Sequence, residues 1–155
     1  MPLRIPPSLK QEHEELHADL AHATKAGGRT GQAALSLVRI MRPHFRKEEE
    51  YALPPLGLLR ELSRGEVRPA MSAVLKMTDK LEAELPTMLA EHEEIVAALH
   101  TLVDAAKAES KSEFVDFAEK LMAHARMEEE VSYPTALLIG RYIKEKLTSP
   151  KVATA

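Results

Sequence analysis

The stretch Glu12-His13-Glu14-Glu15 returns later in the chain as Glu91-His92-Glu93-Glu94. A second stretch, His44 followed by Glu48-Glu49-Glu50 and Pro54, returns as His124, Glu128-Glu129-Glu130 and Pro134. The step from His13 to His92 and the step from His44 to His124 are equal to within a single position. A fixed internal period of this kind marks a copied supersecondary unit. Two units are predicted within one domain of residues 1–155, the first at about 8–62 and the second at about 87–141. Each copy keeps a histidine on one segment and a His-x-x-x-Glu pair on the next.

The surrounding residues place these motifs on helices. Ser8 with Gln11 three positions on reads as a capping box opening a first helix, which Gly27-Gly28 stops. Thr30 is the expected cap of a second helix, kinked at Pro43 and ended by Pro54. Residues 54–68 read as a connector, and Pro69 opens a further helical stretch. Pro86 is either a kink or the first turn of a third helix carrying Glu91 to Ala106. Ser110 with Glu113 caps a fourth, expected to continue to about Ser132 and to end before Pro134. Residues 63–86 have no counterpart in either repeat; they lengthen the third helix, cover the bundle end or form a dimer contact. The tail after residue 148 is expected to be flexible.

Each predicted helix carries one apolar stripe at spacings of three and four. The stripes read Leu9, His13, Leu16, Leu20; Leu37, Met41, His44, Glu48; Met88, His92, Ile95, Leu99; and Phe117, Leu121, His124, Glu128. The six repeated polar residues therefore stand where core residues belong. Two antiparallel pairs with short turns predict an all-α, up-down-up-down four-helix bundle built from two repeated helical hairpins. His13 precedes Gly27 by the same number of positions as His44 follows Thr30. At a rise of ~1.5 Å per residue both stand about 21 Å from the turn, side by side.

Composition narrows the function. The net charge of −3 gives no electrostatic case for nucleic acid, and no run approaches the ~20 apolar residues of a membrane span. The absence of cysteine excludes disulfides, thiolate metal sites and cysteine nucleophiles. No secretory segment is visible at the start, so a cytoplasmic protein is expected.

Two facing buried carboxylates cannot both stay ionised without a cation between them. His13, His44, His92 and His124 with Glu48 and Glu128 make a nitrogen and oxygen donor set without sulfur, suited to iron, manganese or zinc. Duplicated ligands suggest two ions, each served mainly by one hairpin and bridged by the carboxylates. His17, one turn from His13, reads either as an additional ligand or as a supporting residue at the bundle edge. Met41 and Met88 fall one turn from His44 and His92, as pocket lining or as core filler. Glu49-Glu50 and Glu129-Glu130 read as a solvated face or as carboxylates supporting a ligating histidine.

The order His-His-Glu, twice, with EHEE on the first helix of each pair and HxxxEE…P on the second, resembles the hemerythrin-like (HHE cation-binding) family. The resemblance covers residues 8–140, and both copies of the motif are present. It implies a four-helix bundle holding a non-haem di-iron centre, two irons with bridging carboxylates and an oxo or hydroxo bridge. Carried over by position, His13 and His44 serve one iron, His92 and His124 the other, and Glu48 and Glu128 bridge. It further implies binding of dioxygen or nitric oxide at an open position, for sensing, storage or stress protection, with an unidentified electron donor. Two readings stand behind that one: a di-iron enzyme turning over peroxide, nitric oxide or dioxygen, and ferritin-type iron handling. Where oxygen-carrying members have a further histidine, one turn before His92, this chain has Met88. The iron–sulfur repair branch of the family carries a cysteine-bearing N-terminal region that has no counterpart here.

Overall fold

The computed structural model describes residues 3–149, which form helices and short turns with no strand among them. Helix α1 spans Pro7–Thr24 and α2 spans Gly28–Lys47. A π-helical turn, Glu48–Ala52, continues α2 and leads into a 3-10 turn, Pro54–Leu58, and a short α3, Leu59–Leu62. After a 3-10 turn at Pro69–Ala73, the 35-residue α4 runs Val74–Ala108. Helix α5 spans Ser112–Met127, and a second π-helical turn, Glu128–Ser132, joins it to α6, Tyr133–Thr148. Helix α1 packs against α2 and α5, and α4 packs against the same two, closing a ring of four. The all-helical class expected from the stripes holds. Among the described residues no helix is long and apolar enough to cross a membrane.

Several predicted boundaries move, each for a local reason. Ser8 caps nothing, because α1 opens one residue earlier with Pro7 at its first position. Proline is pre-organised there and its missing N–H costs nothing. Ser110 adopts a left-handed φ of 57° in the turn and α5 starts after it, without a side-chain cap. Pro86 is not the first turn but lies inside the helix: α4 already begins at Val74, so residues 74–86 lengthen the third helix. Pro134 opens α6 and does not end the fourth helix. The tail beyond residue 149 lies outside the described residues.

The start of α2 shows how the two halves are tied together. Thr30 is not the cap but lies inside the first turn, and its backbone N–H donates to Glu109 at 2.7 Å. The Arg29 N–H donates to the same carboxylate at 3.2 Å, and the Thr30 hydroxyl donates as well. The free N–H groups of α2 are thus satisfied from the α4–α5 turn. Gly28 has a φ of 59°, and any Cβ there would collide with the Glu109 carboxylate. In return Lys111 donates to the Ala26 carbonyl at 2.8 Å, just past the end of α1.

Two apolar clusters fill the bundle. One is built around Leu16, Leu37, Met41, Phe45, Ile95, Leu99 and Leu121, toward the α1–α2 and α4–α5 turns. The other gathers Tyr51, Leu56, Leu58, Leu81, Met88, Tyr133 and Ile139, from the turns, the first half of α4 and α6. Residues 63–86 cover that second end, packing Met71, Val74 and Leu81 beneath α6. Between the clusters lies one buried polar layer: His13, His44, Glu48, His92, His124 and Glu128.

Glu109 supplies a stability test with a defined sign. Bonds from Thr30 and Arg29, aided by Lys111, hold its carboxyl down at about 2, against an ordinary 4.5. A depressed folded value stabilises above pH 4.5, and that contribution disappears as pH falls from 4.5 toward about 2. Urea melts of wild type and Glu109→Gln should show the variant less stable at pH 7, with the difference closing over that interval.

Candidate metal centre

The six polar residues reach the layer by helical spacing alone. His44 and Glu48 are one turn apart, as are His124 and Glu128, so each pair projects from one face. His13 projects from α1 and His92 from α4, each flanked by apolar residues one turn away. All six side chains are at most 5% exposed.

They converge as two quartets sharing both carboxylates. His13, Glu48, His124 and Glu128 form one; His44, Glu48, His92 and Glu128 form the other. Within each, one donor atom per residue lies within 4.8 Å of all the others. Across the first, His13 Nε2 stands 3.4 Å from Glu48 Oε2 and 3.7 Å from Glu128 Oε2. In the second, His44 Nε2 is 2.9 Å from Glu48 Oε1, and His92 Nε2 is 3.7 Å from Glu128 Oε1. The grouping is not the one the repeats suggest. His13 sits with His124, ring centroids 5.2 Å apart, and His44 with His92 at 4.6 Å. Each quartet therefore draws one histidine from each hairpin, because the α1–α5 and α2–α4 edges bring these rings together.

The outer nitrogens follow a second pattern. His13 Nδ1 bonds Glu49 at 3.4 Å, His44 Nδ1 bonds Glu91 at 3.3 Å, His92 Nδ1 bonds Glu129 at 2.9 Å, and His124 Nδ1 bonds Glu12 at 2.8 Å. Every histidine donates to a carboxylate on the next helical segment round the ring, in one rotational sense. A carboxylate accepting from Nδ1 leaves Nε2 pointing inward as the ligand atom. Glu49 and Glu129 thus support histidines while remaining partly exposed, and only Glu50 and Glu130 belong to the solvated face. Glu12 and Glu91 are the acidic residues beside His13 and His92, so their repetition was the available signal. Lys47 adds a cation to one corner, donating to Glu91 at 2.5 Å.

His17 stands outside both quartets. It is about two-fifths exposed, lies 3.7 Å from Glu49 and packs on Phe45. Met41 and Met88 are fully buried, one in each apolar cluster, flanking the layer from opposite sides. His22 and His100 are exposed on the surface. One residue of the layer went unread. The Tyr133 hydroxyl donates to Glu48 and stands 3.4 Å from His44 Nε2 and 3.3 Å from His92 Nε2.

Without a cation the charges are mutually strained. Burial alone would raise Glu48, but bonds from His44 and His92 hold it well below the ordinary carboxylate range. Glu128 is raised by its burial and by the nearby charge of Glu48. Burial opposes charge on His13, His92 and His124, yet the carboxylates packed around them raise all three, His124 to about 9. The carboxylates thus favour the protonated form of these three imidazoles.

The donor set fits a metal ion. His13 Nε2, His124 Nε2, Glu48 Oε2 and Glu128 Oε2 are all buried and lack any hydrogen-bond partner. They are the four inward atoms of one quartet. Native interiors rarely leave even one such atom unpaired, and four converging on one point are suited to holding a cation. Among protein-family models, that for the hemerythrin HHE cation binding domain matches residues 5–136. Comparison with curated proteins and with solved structures finds no match.

Metal uptake should release protons, because His124, raised to about 9, must become neutral to ligate. Zinc titration in weak buffer should show net proton release at pH 7 and an affinity that keeps rising toward pH 9. Removing an outer carboxylate, as in Glu12→Ala or Glu129→Ala, should weaken binding by about 10–100-fold without unfolding the chain.

Proposed function

We propose that this chain, which belongs to the hemerythrin HHE cation-binding family, is a non-haem di-iron protein that binds dioxygen or nitric oxide. The observation that carries the metal half of this reading is the quartet of unpartnered buried atoms on His13, His124, Glu48 and Glu128. Two ions follow from the two quartets, with Glu48 and Glu128, common to both, as the bridges. The proposed architecture is an up-down-up-down bundle of two copied hairpins in one domain. Its support is the common offset of both repeated motifs together with the matching π-helical turns at Glu48 and Glu128.

Iron at this position would supply electrons and a coordination site for a small ligand. The chain supplies the rest. Outer carboxylates fix the tautomer and ring direction of all four histidines. Glu48 and Glu128 offset part of the ionic charge in a low-dielectric interior, and the four outer carboxylates behind the histidines offset more. Apolar clusters on both sides keep bulk water away, and ligand side chains at most 5% exposed admit only a small, weakly polar molecule.

The deciding experiment loads the protein anaerobically with ferrous iron, counts metal by elemental analysis, and follows the absorption spectrum as air or nitric oxide is admitted. Two irons per chain and a gas-dependent visible band are expected. Reversal of that band on removing the gas marks a binder, and continuous consumption of oxygen with a reductant marks an enzyme. Retention of no iron, or no spectral response to either gas, would end this reading.

A further inference from the structure

The two quartets repeat in sequence but not in surroundings. The counterpart of Tyr133 in the first repeat is Leu53, which is buried and apolar. The quartet of His13 and His124 consequently keeps its inward nitrogens unpartnered, while those of His44 and His92 both face the Tyr133 hydroxyl.

We infer that the Tyr133 oxygen is a ligand to the ion held by His44 and His92, so that the two metal positions are inequivalent. This inference rests on the di-metal reading above.

Distances decide between a ligand and a plug. An oxygen sitting where the ion belongs would lie about 2.1 Å from each imidazole nitrogen, the usual metal–nitrogen length. The observed separations are 3.4 and 3.3 Å. Neighbouring ligands around an ion with ~2.1 Å bonds stand roughly 3.0–3.4 Å apart, from octahedral to tetrahedral geometry. Tyr133 therefore occupies a vertex of the coordination shell, beside His44, His92 and Glu48. Its ring is held there by burial, at 1% exposure, and by stacking on His92 with centroids 5.7 Å apart.

The backbone is shaped for this placement. Tyr133 donates its N–H to the Glu128 carbonyl, an i→i+5 bond that closes the π-helical turn. In a regular helix Tyr133 would lie ~140° round from Glu128, at ~100° per residue. The wider turn brings it back toward the ligand face. The ligand histidine that Met88 cannot provide, one turn before His92 on α4, is thus replaced from α6. His17, beside the other quartet and pointing at Glu49, is not the replacement. As the ion enters, the Tyr133 O–H bond breaks, the metal–oxygen bond forms, and the proton leaves to solvent. With Tyr133 added, that ion has five protein donors against four for the ion of His13 and His124, so the exchangeable position falls to the latter.

The test compares wild type, Tyr133→Phe and Tyr51→Phe after anaerobic ferrous loading and oxidation in air. Tyr51 is equally buried, but its hydroxyl makes no hydrogen bond to either quartet. Expected are two irons and a tyrosinate-to-ferric charge-transfer band in wild type and Tyr51→Phe. Tyr133→Phe should lose the band and bind its second ion about tenfold or more weakly. If Tyr133→Phe does not fold, resonance Raman of wild type with ring-deuterated tyrosine, alongside Tyr51→Phe, still shows whether a Tyr133 phenolate is bound. Two irons without tyrosinate modes, or a band surviving in Tyr133→Phe, overturn this assignment and leave the di-iron reading intact. A wild type that binds no iron overturns both.

Discussion

Two carboxylates, Glu48 and Glu128, face each other in the interior with at most 2% exposure, and the rest of the structure answers to that fact. Burying an unpaired carboxylate costs on the order of several kcal/mol even after relaxation. Two beside each other add repulsion, which is why Glu128 is driven up while Glu48 stays down. His13, His92 and His124 answer with a raised affinity for protons, and a bound cation would offset the charge with better geometry. Either way the layer persists only because apolar clusters above and below fix the helices that carry it. A polar layer of this kind lowers stability relative to leucines at the same positions, which is the usual relation between a site and its scaffold.

The ring of Nδ1 bonds converts four separate histidines into one device. Each outer carboxylate sits on the helical segment beside the histidine it orients, so no ligand can turn without disturbing a neighbouring helix. Rigid support from packed elements holds ligand geometry better than loops do. The cost of the arrangement falls on partly exposed residues, Glu12, Glu49 and Glu129, where water already weakens the charge and little desolvation is required.

The repeated motifs stand in unequal surroundings. Leu53 answers Tyr133, Met127 answers Lys47, and Leu9 answers Met88 at the same offsets. The Tyr133 hydroxyl and the Lys47 ammonium, both beside the His44 and His92 quartet, therefore have only apolar counterparts in the other copy. A symmetric ligand set placed in asymmetric surroundings is a general route to two ions with separate tasks.

The sequence by itself determined the helices, the stripe and the six candidate ligands, because all of these rest on local periodicity. An i, i+4 pair such as His44 and Glu48 must share a face whatever the fold. The repeat offset, read with the donor chemistry, singled out these six as candidates. Partnership was decided only by tertiary structure. The hairpins suggested His13 with His44, whereas the bundle edges set His13 against His124 and His44 against His92, since packing between helices is not written in the spacing along one. The cap of α2 came from Glu109, which is distant in the chain and adjacent only once the bundle has closed. Tyr133 was invisible for a sharper reason. A π-helical turn adds a residue to the repeat, so a reading at ~3.6 residues per turn carries the phase past it and assigns Tyr133 to the wrong face.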